Sequence, residues 1–433
     1  MAQRRIVLTT MGSLGDLHPY VALAIGLQNR GHSCIIATNA IYREKVERER
    51  IEFAAIRPDL SDLGNECEVM AKIMHPRYGS RYVIRNLAMA WIQETYEDLL
   101  KATQGADLLI GHPLTFTVPL VAEKTNTPWI GTALQPMVFI SPTDPPAFGP
   151  IRWLVDLNLG PKFYAWLFRA MKKFTFRWAK PLIELRKREG LSEDPKHPLF
   201  ESVYSDLGNL ALFSSQFATP QPNWPANTVI TGFPFYDVGM EKQHSGISEG
   251  LETFLRSGAP PIIFTLGSSA VMTAGTFYSE SFKAAKQAGF RAVLLIGRDE
   301  RNRFTDSIPP NIYIDDYAPY SQIFPRAAAI FHQGGVGTTA QAMRAGKPMV
   351  IMPFSHDQPD HARRIERMGC GFGISRRAYS AARVIELVRK LSSQQVQENA
   401  ARLGEKIRSE DGVLRACEAI ESFMNTAQTP KSI

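Results

Sequence analysis

The stretch AIFHQGGVGTTAQAMRAGKPMVIMPFSHDQPDHARRIERMG at residues 329–369 predicts the fold, because it contains two successive strand and helix units. The apolar run at residues 327–331 is short and ends near glycines, as a buried parallel strand does, and residues 336–345 have helical spacing. Residues 348–353 predict the next strand, and the following helix is expected to end at Gly369, where glycine commonly terminates helices. The stretch therefore predicts a parallel sheet covered by helices.

Three glycines, Gly334, Gly335 and Gly337, fall on the first turn between strand and helix. A turn without β-carbons lets backbone N–H groups approach an anion, and the helix that follows directs its free N–H groups and positive dipole end at the same point. The turn is interpreted as a diphosphate cradle, and the alternative is a tight turn with capping threonines and a core histidine. The side chains expected to add donors are those of His332, Thr338 and Thr339.

Asp357 and Gln358 stand at the start of the next predicted helix, at the mouth of the sheet. A carboxylate beside an amide suits the hydroxyls of a sugar, whereas helix capping alone would explain the aspartate but not the glutamine. Taken whole, the stretch resembles the donor-sugar signature of family 1 glycosyltransferases of the GT-B fold. The resemblance implies that His332 and the Gly/Thr loop hold a nucleotide diphosphate and that the Asp357–Gln358 pair holds the sugar.

A second glycine loop, GSLGDLHP at residues 12–19, follows a strand predicted at residues 4–10. Pro19 suits the first turn of a helix predicted at residues 20–30, and another strand follows at residues 33–38. This spacing predicts the opening of a doubly wound sheet, which binds ligands at its carboxyl edge. The loop does not spell G-x-G-x-x-G and lacks the acidic strand-end residue of a dinucleotide site, so no nicotinamide cofactor is expected.

Asp16 projects from this loop, with His18 two residues later. By local sequence alone Asp16 is either a helix cap or a catalytic group. The loop resembles the G-S-x-G-D-x-x-P loop of the GT-B subgroup that includes sterol glucosyltransferases, glycopeptide glucosyltransferases and rhamnolipid rhamnosyltransferases. In that subgroup the aspartate replaces the catalytic histidine of plant relatives, which implies that Asp16 is the base and that Ser13 and Gly15 belong to the donor site.

A strand at residues 261–266, the turn Gly267-Ser268-Ser269 and a helix at residues 276–289 repeat the plan of residues 4–31. The chain of 433 residues is therefore predicted to be an α/β protein of the GT-B type, with two facing doubly wound, Rossmann-like domains and a cleft between them. The predicted parts are an N-terminal acceptor-binding domain (1–235), a linker (236–258), a C-terminal nucleotide-sugar-binding domain (259–415) and a C-terminal helix and tail (416–433) packed on the N-terminal domain.

The nucleotide base is expected at residues 314–320, IDDYAPY, where plant relatives carry W-x-P-Q. By this resemblance Tyr317 takes the position of the base-stacking Trp and Tyr320 that of the Gln. Ala340 stands where many UDP-glucose enzymes carry Glu, so uridine and deoxythymidine both stay open. Ser268, at the Gly-Ser turn, completes the predicted donor site. The side chains predicted to line the acceptor site are His18, His112, Thr115, Gln135 and Met137.

The composition indicates the compartment of the protein and the redox state of its cysteines. No apolar run reaches the roughly eighteen residues of a membrane span, and the N-terminus enters a strand without a signal peptide, so a cytoplasmic protein is expected. Cys34, Cys67, Cys370 and Cys417 form no C-x-x-C pattern. Neither a disulfide framework nor a zinc site is therefore expected.

Residues 151–190 hold ten Lys/Arg against three Asp/Glu, a surplus that equals the net charge of +7 of the whole chain. Eight aromatic residues are interleaved with these bases at roughly helical spacing. Such a segment can lie on an anionic lipid surface, peripheral on the inner side of a membrane, or it can pack its aromatics inward and leave a basic face in water. No nucleic-acid partner is expected, because no motif of that kind accompanies the charge.

These parts predict an inverting, metal-independent glycosyltransferase. The chain has no D-x-D triplet, so a helix N-terminus would stabilise the leaving diphosphate, and one base on the opposite face implies single displacement with inversion. The expected substrates are a UDP- or dTDP-sugar, which is a co-substrate and not a cofactor, and a lipid or other hydrophobic acceptor with a hydroxyl. Two alternatives stay open: a GT-B nucleotide-sugar 2-epimerase, and a non-catalytic subunit that binds nucleotide sugar.

Overall fold

Two all-parallel sheets organise the chain. The computed structural model describes residues 2–237 and 246–428. The strands of the first sheet are β1 (Arg5–Thr9), β2 (Ser33–Thr38), β3 (Glu52–Ala55), β4 (Leu108–Gly111), β5 (Trp129–Ala133), β6 (Asn209–Ala211) and β7 (Thr228–Ile230). The strands of the second sheet are β8 (Ile262–Thr265), β9 (Ala292–Leu295), β10 (Ile312–Asp315), β11 (Ala329–His332), β12 (Met349–Ile351) and β13 (Gly371–Gly373).

The strand orders are β3-β2-β1-β4-β5-β6-β7 and β10-β9-β8-β11-β12-β13. In each sheet the order reverses beside the first strand, β1 or β8, and doubly wound sheets bind ligands at the carboxyl ends of the strands at such a point. The turns after β1, β4, β8 and β11 therefore lie at the two reversal points. The predicted pair of doubly wound α/β domains is confirmed.

The helices cover both faces of the two sheets. Those of the first half are α1 (Leu14–Asn29), α2 (Arg43–Arg48), α3 (Glu66–Ile73), α4 (Gly79–Tyr82), α5 (Ile92–Ala102), α6 (Val118–Thr125), α7 (Arg152–Asp156), α8 (Pro161–Thr175) and α9 (Lys180–Arg188). Those of the second half are α10 (Glu249–Arg256), α11 (Gly267–Ala270), α12 (Phe277–Ala288), α13 (Tyr320–Ile323), α14 (Val336–Ala345), α15 (Gln358–Arg367), α16 (Ala381–Leu391), α17 (Gln394–Arg408) and α18 (Gly412–Gln428). Within residues 2–237 and 246–428, no helix combines the length and apolarity needed to cross a bilayer.

The first helix begins earlier than Pro19 predicted. Helix α1 starts at Leu14, so Pro19 lies inside the helix and not in its first turn. The oxygen of the Ser13 side chain accepts from the N–H of Gly15 at 3.2 Å, and a carboxylate oxygen of Asp16 accepts from the N–H of Ser13 at 2.7 Å. Because this reciprocal cap fixes the start of the helix, the missing N–H of Pro19 removes one bond without ending it.

Residues 329–369 form the predicted succession of strand, turn, helix, strand, turn and helix. Helix α14 has the predicted bounds, while β11 and β12 are shorter than the apolar runs suggested. All residues of both strands are buried, as expected for the middle of a parallel sheet. Gly369 follows α15 with a left-handed φ of +64°, which is the conformation that a terminating glycine supplies.

The interval predicted as a linker, residues 236–258, contains a packed helix. Residues 238–245 lie outside the described residues, but α10 follows them with Leu251 and Leu255 buried on one face. Ser248 caps this helix by accepting the N–H of Leu251 at 3.3 Å. Apolar residues four positions apart bury one helical stripe, a signal that the surrounding glycines and polar residues obscured.

The last helix, α18, packs on α1 of the N-terminal domain. Gly26 leaves room for it, since a β-carbon there would lie 2.6 Å from a side chain of α18. Arg30 and His32 both contact Glu421, at 2.6 and 3.2 Å. The helix starts at Gly412, four residues before the predicted boundary at 416, and residues 429–433 lie outside the described part of the chain.

Candidate active site

The first turns of helices α1 and α14 lie close to each other across the cleft. Gly15 and Gly337 face each other there, since a β-carbon at Gly337 would lie 3.7 Å from the Cα of Gly15. Small residues on both sides permit this approach. The positive ends of two helix dipoles are therefore brought together where the domains meet.

Only one of these two helix ends carries its own anion. One oxygen of Asp16, Oδ2, accepts from the N–H and the hydroxyl of Ser13 at 2.7 and 3.0 Å, so α1 is capped by a carboxylate. The N-cap of α14 is Gly335, and no side chain in the described residues caps it. The first N–H groups of α14 are therefore the ones that remain available to a bound anion.

The other oxygen of Asp16, Oδ1, faces His112 at the end of β4. It lies 3.6 Å from Nε2 of the imidazole, an electrostatic contact slightly longer than a hydrogen bond. Because Nδ1 accepts the N–H of Leu114 at 3.1 Å, the proton of a neutral ring sits on Nε2 and points at Asp16. Burial raises the pKa of Asp16, but His112 and the bonds from Ser13 outweigh it and leave the pKa below its ordinary value.

Asp357 enters the cleft from the other domain, at the N-cap of α15. Its Oδ2 lies 3.5 Å from Nδ1 of His361, one helical turn later, and that nitrogen donates to the carbonyl of Gly334 at 2.7 Å. Helix α15 is thereby tied to the glycine turn. Burial raises the pKa of Asp357, and His361 and His356 only partly offset this. Two nearby carboxyl groups whose environments move their pKa values apart are suited to different roles.

His332 lies beneath the glycine turn and not on its surface. The ring is fully buried, its Nδ1 accepts the N–H of Gly334 at 3.1 Å, and its Nε2 lies 3.4 Å from the sulfur of Met349. Burial lowers the pKa of His332 to about 3, and the neighbouring His361 adds to this. The hydroxyl of Thr339 donates to the carbonyl of Gly335 at 3.0 Å. In this geometry the side chains of His332 and Thr339 both bond within the turn, and their contact with a diphosphate stays a prediction.

The two predicted base-site tyrosines have different surroundings. Tyr317 is 59% exposed, whereas the hydroxyl of Tyr320 lies 2.8 Å from that of Thr265 at the end of β8. Burial raises the pKa of Tyr320 to about 12, and the hydroxyl of Thr338 is a further polar neighbour. The contact of the exposed ring of Tyr317 with a base stays a prediction, while Tyr320 supports the turn that carries Ser268.

Two glutamines are buried on the donor side. The oxygen of Gln358 accepts the N–H groups of Phe354 and Ser355 at 2.7 and 3.3 Å, so its amide N–H₂ is the group that could reach a sugar. Gln333, which the sequence analysis did not single out, inserts between the turns after β8 and β11, and a β-carbon at Gly267 would collide with its Nε2. Its buried Oε1 has no hydrogen-bond partner among the described residues. The only signal for Gln333 was a polar residue within the glycine turn.

The remaining acceptor-side candidates differ in burial and surroundings. His18 turns toward Tyr236, with ring centroids 5.1 Å apart, and burial lowers its pKa to about 3. Thr115 is almost fully buried, and its hydroxyl has no partner within the described residues. Gln135 and Met137 are partly exposed in the short turn after β5. Of the predicted set, His112 alone contacts Asp16.

The turn that precedes Asp357 is held by the N-terminal domain, which the sequence did not reveal. His356 has a left-handed φ of +57°, and its Nδ1 lies 3.0 Å from the hydroxyl of Ser80. The hydroxyl of Ser355 donates to the carbonyl of His75 at 3.1 Å. Because the two segments are 276 residues apart, no local pattern could have paired them.

A buried ion cluster fastens α15 to the loop that precedes α7. The guanidinium of Arg364, only 2% exposed, contacts Asp360 and Asp144, each at 2.7 Å. Asp360 also accepts the N–H of Ala147 at 3.0 Å. The helix that begins with the proposed sugar-binding pair is therefore positioned by residues of the other domain.

Comparisons with known proteins match both halves of the chain. Residues 6–138 match the glycosyltransferase family 28 N-terminal domain, and residues 286–418 match the erythromycin biosynthesis protein CIII-like C-terminal domain. The chain is 30% identical to O-mycaminosyltylonolide 6-deoxyallosyltransferase of Streptomyces fradiae, over 98% of this chain and 99% of that protein. It is 28% identical to a sterol 3-beta-glucosyltransferase of Debaryomyces hansenii over 95% of this chain, which spans 26% of that longer protein.

A solved structure extends the likeness to the fold. The glycosyltransferase VinC, crystallised in complex with dTDP, matches with a TM-score of 0.68 and 18% identity, covering 98% of this chain and 100% of that one. At this identity the match shows a shared fold. The facing domains and the cleft between them are thus common to both proteins.

Proposed function

Because the chain belongs to the family 1 glycosyltransferases of the GT-B fold, we propose that it moves a hexosyl group from a UDP- or dTDP-sugar to a hydroxyl of a hydrophobic small molecule. The transfer inverts the anomeric carbon and needs no metal ion. The N-terminal domain binds the acceptor, and the C-terminal domain binds the nucleotide sugar. The cytoplasm is the proposed compartment, since all four cysteines are free thiols.

The uncapped N-terminus of α14 is the observation that supports this proposal most. A leaving nucleoside diphosphate gains negative charge as the sugar departs, and fixed N–H groups stabilise such charge without reorganising. The turn at Gly334 and Gly335 brings the backbone close, and Gln333 lies between it and the turn that carries Ser268. These groups would take the role that a metal ion has in many other transferases.

Asp16 is the proposed general base. The acceptor oxygen attacks the anomeric carbon while the bond from that carbon to the diphosphate oxygen breaks, and the hydroxyl proton passes to Asp16. A carboxylate with a lowered pKa is a weak base, but it can accept the proton late, when the forming bond has made the hydroxyl acidic. Asp357 and the amide of Gln358 would hold sugar hydroxyls from the opposite side of the cleft.

The relatives support the proposed substrate classes. One is named for transfer to O-mycaminosyltylonolide and another for transfer to a sterol, and a sterol is a hydrophobic alcohol. The solved structure with dTDP supports a deoxythymidine donor, and the exposed ring of Tyr317 suits either pyrimidine. A lipid acceptor would bring the protein to a membrane surface.

The test is a panel of UDP- and dTDP-hexoses, first screened by thermal stabilisation, since a ligand that binds the native state raises the melting temperature. The stabilising donor is then incubated with and without hydrophobic alcohols, and the products are identified by mass spectrometry. The proposal expects a hexosylated alcohol and free nucleoside diphosphate. Conversion of the donor without an acceptor would instead favour the epimerase, and binding with no turnover would favour the non-catalytic subunit.

A further inference from the structure

One segment of the N-terminal domain exposes several large apolar side chains. It is formed by α7, the turn after it, α8 and the short turn that follows α8; we call it the basic aromatic face. Among the described residues, six of the eleven exposed large hydrophobic side chains lie within this segment of 24 residues. They are Trp153, Leu157, Leu159, Trp166, Phe174 and Phe176. Single exposed apolar residues are ordinary, whereas a cluster marks an interaction site.

Helix α8 has two distinct faces. Tyr164 and Phe168, four residues apart, are buried in a small satellite core, as the inward-packing alternative predicted. Trp166 does not follow them: it is 58% exposed, and Trp153 on α7 is 57% exposed. One face of the helix therefore packs into this core, and the opposite face exposes the indole of Trp166.

The exposed stripe of α8 is also basic. Lys162, Trp166, Arg169 and Lys173 follow one another at spacings of three or four residues, which places them on one face of a helix. No ion-pair partner is found for these three bases among the described residues, whereas Lys172, one position away from Lys173, contacts Glu201 at 2.6 Å. The chain contains no acidic residue from 157 to 183.

We propose that the basic aromatic face lies on an anionic lipid surface. Indole rings favour the boundary between water and acyl chains, and lysine and arginine beside them attract acidic headgroups. Exposed bases on both sides of the exposed indole of Trp166, with a second exposed indole on α7, fit a planar, fluid partner better than a protein, which would require a complementary pocket. Acidic headgroups would also neutralise the basic surplus of residues 151–190, which equals the net charge of the whole chain.

The face is joined directly to the active site. Arg363 of α15 contacts Asp156 of α7 at 3.3 Å and donates to the carbonyl of Val155 at 3.4 Å. Helix α15 begins beside Asp357, so this helix contacts both α7 and the proposed sugar site. The role of lipid binding rests on the proposed transfer to a hydrophobic acceptor. Lipid binding itself can be measured without any turnover.

The test is flotation of the full chain with vesicles of phosphatidylcholine alone or with about one third phosphatidylglycerol. Wild type should float with the anionic vesicles and not with the neutral ones. The triple variant Lys162→Gln, Arg169→Gln and Lys173→Gln should lose about tenfold or more in partitioning, since each base near such a surface contributes to the attraction. The double variant Trp153→Ala and Trp166→Ala should also bind more weakly.

The matched control removes three exposed bases from the C-terminal domain, Lys286→Gln, Arg389→Gln and Lys406→Gln, and should float like wild type. An equal loss of flotation in this control would show that only the net charge of the protein matters, and it would overturn the assignment of the basic aromatic face. Absence of flotation by wild type at low salt would also overturn it and leave an acidic protein as the partner. Transfer to a water-soluble acceptor should be unchanged in the triple variant, so failure of the proposed chemistry and failure of lipid binding give separate results.

Discussion

Asp16 divides its two oxygens between two different tasks: Oδ2 caps its own helix through Ser13, and Oδ1 lies 3.6 Å from Nε2 of His112 on a neighbouring strand. The two roles that the sequence offered as alternatives, helix cap and catalytic group, are therefore structurally compatible. The cap fixes the side chain, and a fixed carboxylate loses little freedom when it accepts a proton.

The variant Asp16→Asn should reduce turnover by about 10²–10⁴-fold, because loss of a general base costs that much. Nucleotide binding should stay nearly intact, since an asparagine oxygen can still accept the N–H of Ser13. His18→Ala should cost far less, because that ring turns toward Tyr236. Steady-state kinetics with a calorimetric dissociation constant for the diphosphate measures both effects. The reverse ranking, an active Asp16→Asn and an inactive His18→Ala, would transfer the base to the histidine.

Replacement of His112 should change the pH dependence of turnover. His112→Leu removes the N–H that faces Asp16, so the pKa of Asp16 should rise and the acid limb of kcat should move to higher pH. A contact of this kind is worth about 1 kcal/mol, or about fivefold. Measurement at saturating substrates makes kcat report the groups that titrate in the enzyme–substrate complex. His112→Gln, which restores a neutral donor at nearly the same reach, should return the limb toward its original position; a profile identical in all three proteins would remove His112 from the site.

His332 should make the protein less stable as the pH falls. Its pKa is about 3 in the folded chain against an ordinary value of 6.5, so the unfolded chain binds the extra proton between these two values. The free energy of unfolding should therefore decrease on acidification from pH 6.5, by up to about 1.4 kcal/mol per pH unit from this group.

The comparison for His332 is His332→Asn, whose side-chain oxygen can still accept the N–H of Gly334. Denaturant unfolding between pH 4.5 and 6.5 should give a shallower slope in this variant than in wild type. His332→Ala leaves that buried N–H unsatisfied, which should lower the free energy of unfolding by about 1–3 kcal/mol and weaken diphosphate binding at the turn. Parallel slopes in wild type and His332→Asn would show that the histidine is not buried as a neutral group.

Two adjacent arginines of α15 should differ in how much their loss destabilises the protein. Arg364→Met leaves Asp360, 1% exposed, without its cation, and breaking a buried pair in this way costs about 3–5 kcal/mol. Arg363→Met removes a contact to Asp156, which is 67% exposed, and such a surface pair is worth about 0–1 kcal/mol. Urea unfolding of the two variants should separate them clearly, and equal costs would contradict the importance of burial.

The sequence predicted those features whose signals are local. The strand, glycine turn and helix at β11 and α14 were readable because apolar periodicity and glycine act over a few residues. The start of α1 was misplaced because Pro19 was taken as the signal for the first turn, whereas the reciprocal cap of Ser13 and Asp16 starts the helix at Leu14. The contacts of His112 with Asp16 and of Ser80 with His356 join distant segments. Their geometry depends on the packing of two sheets, which no single spacing encodes.

The hydrogen bonds within the glycine turn were not predicted, for a related reason. His332 and Thr339 have polar groups at the right place in the chain, but a buried polar group must be satisfied whether or not a ligand is bound. The turn itself takes up the ring nitrogen of His332 and the hydroxyl of Thr339. Sequence shows which groups are near a site, and only the three-dimensional arrangement shows which of them are already occupied.

The docking of α18 on α1 means that the N-terminal domain is not one continuous segment of the chain. Its outer layer is completed by residues that come after the whole C-terminal domain, with Glu421 held by Arg30 and His32. A chain cut after residue 235 would expose the groove of α1 at Gly26 and would lack part of its own core. When N-terminal domains are exchanged between such transferases, the first helix and the last helix should therefore be exchanged together, because they pack as one unit.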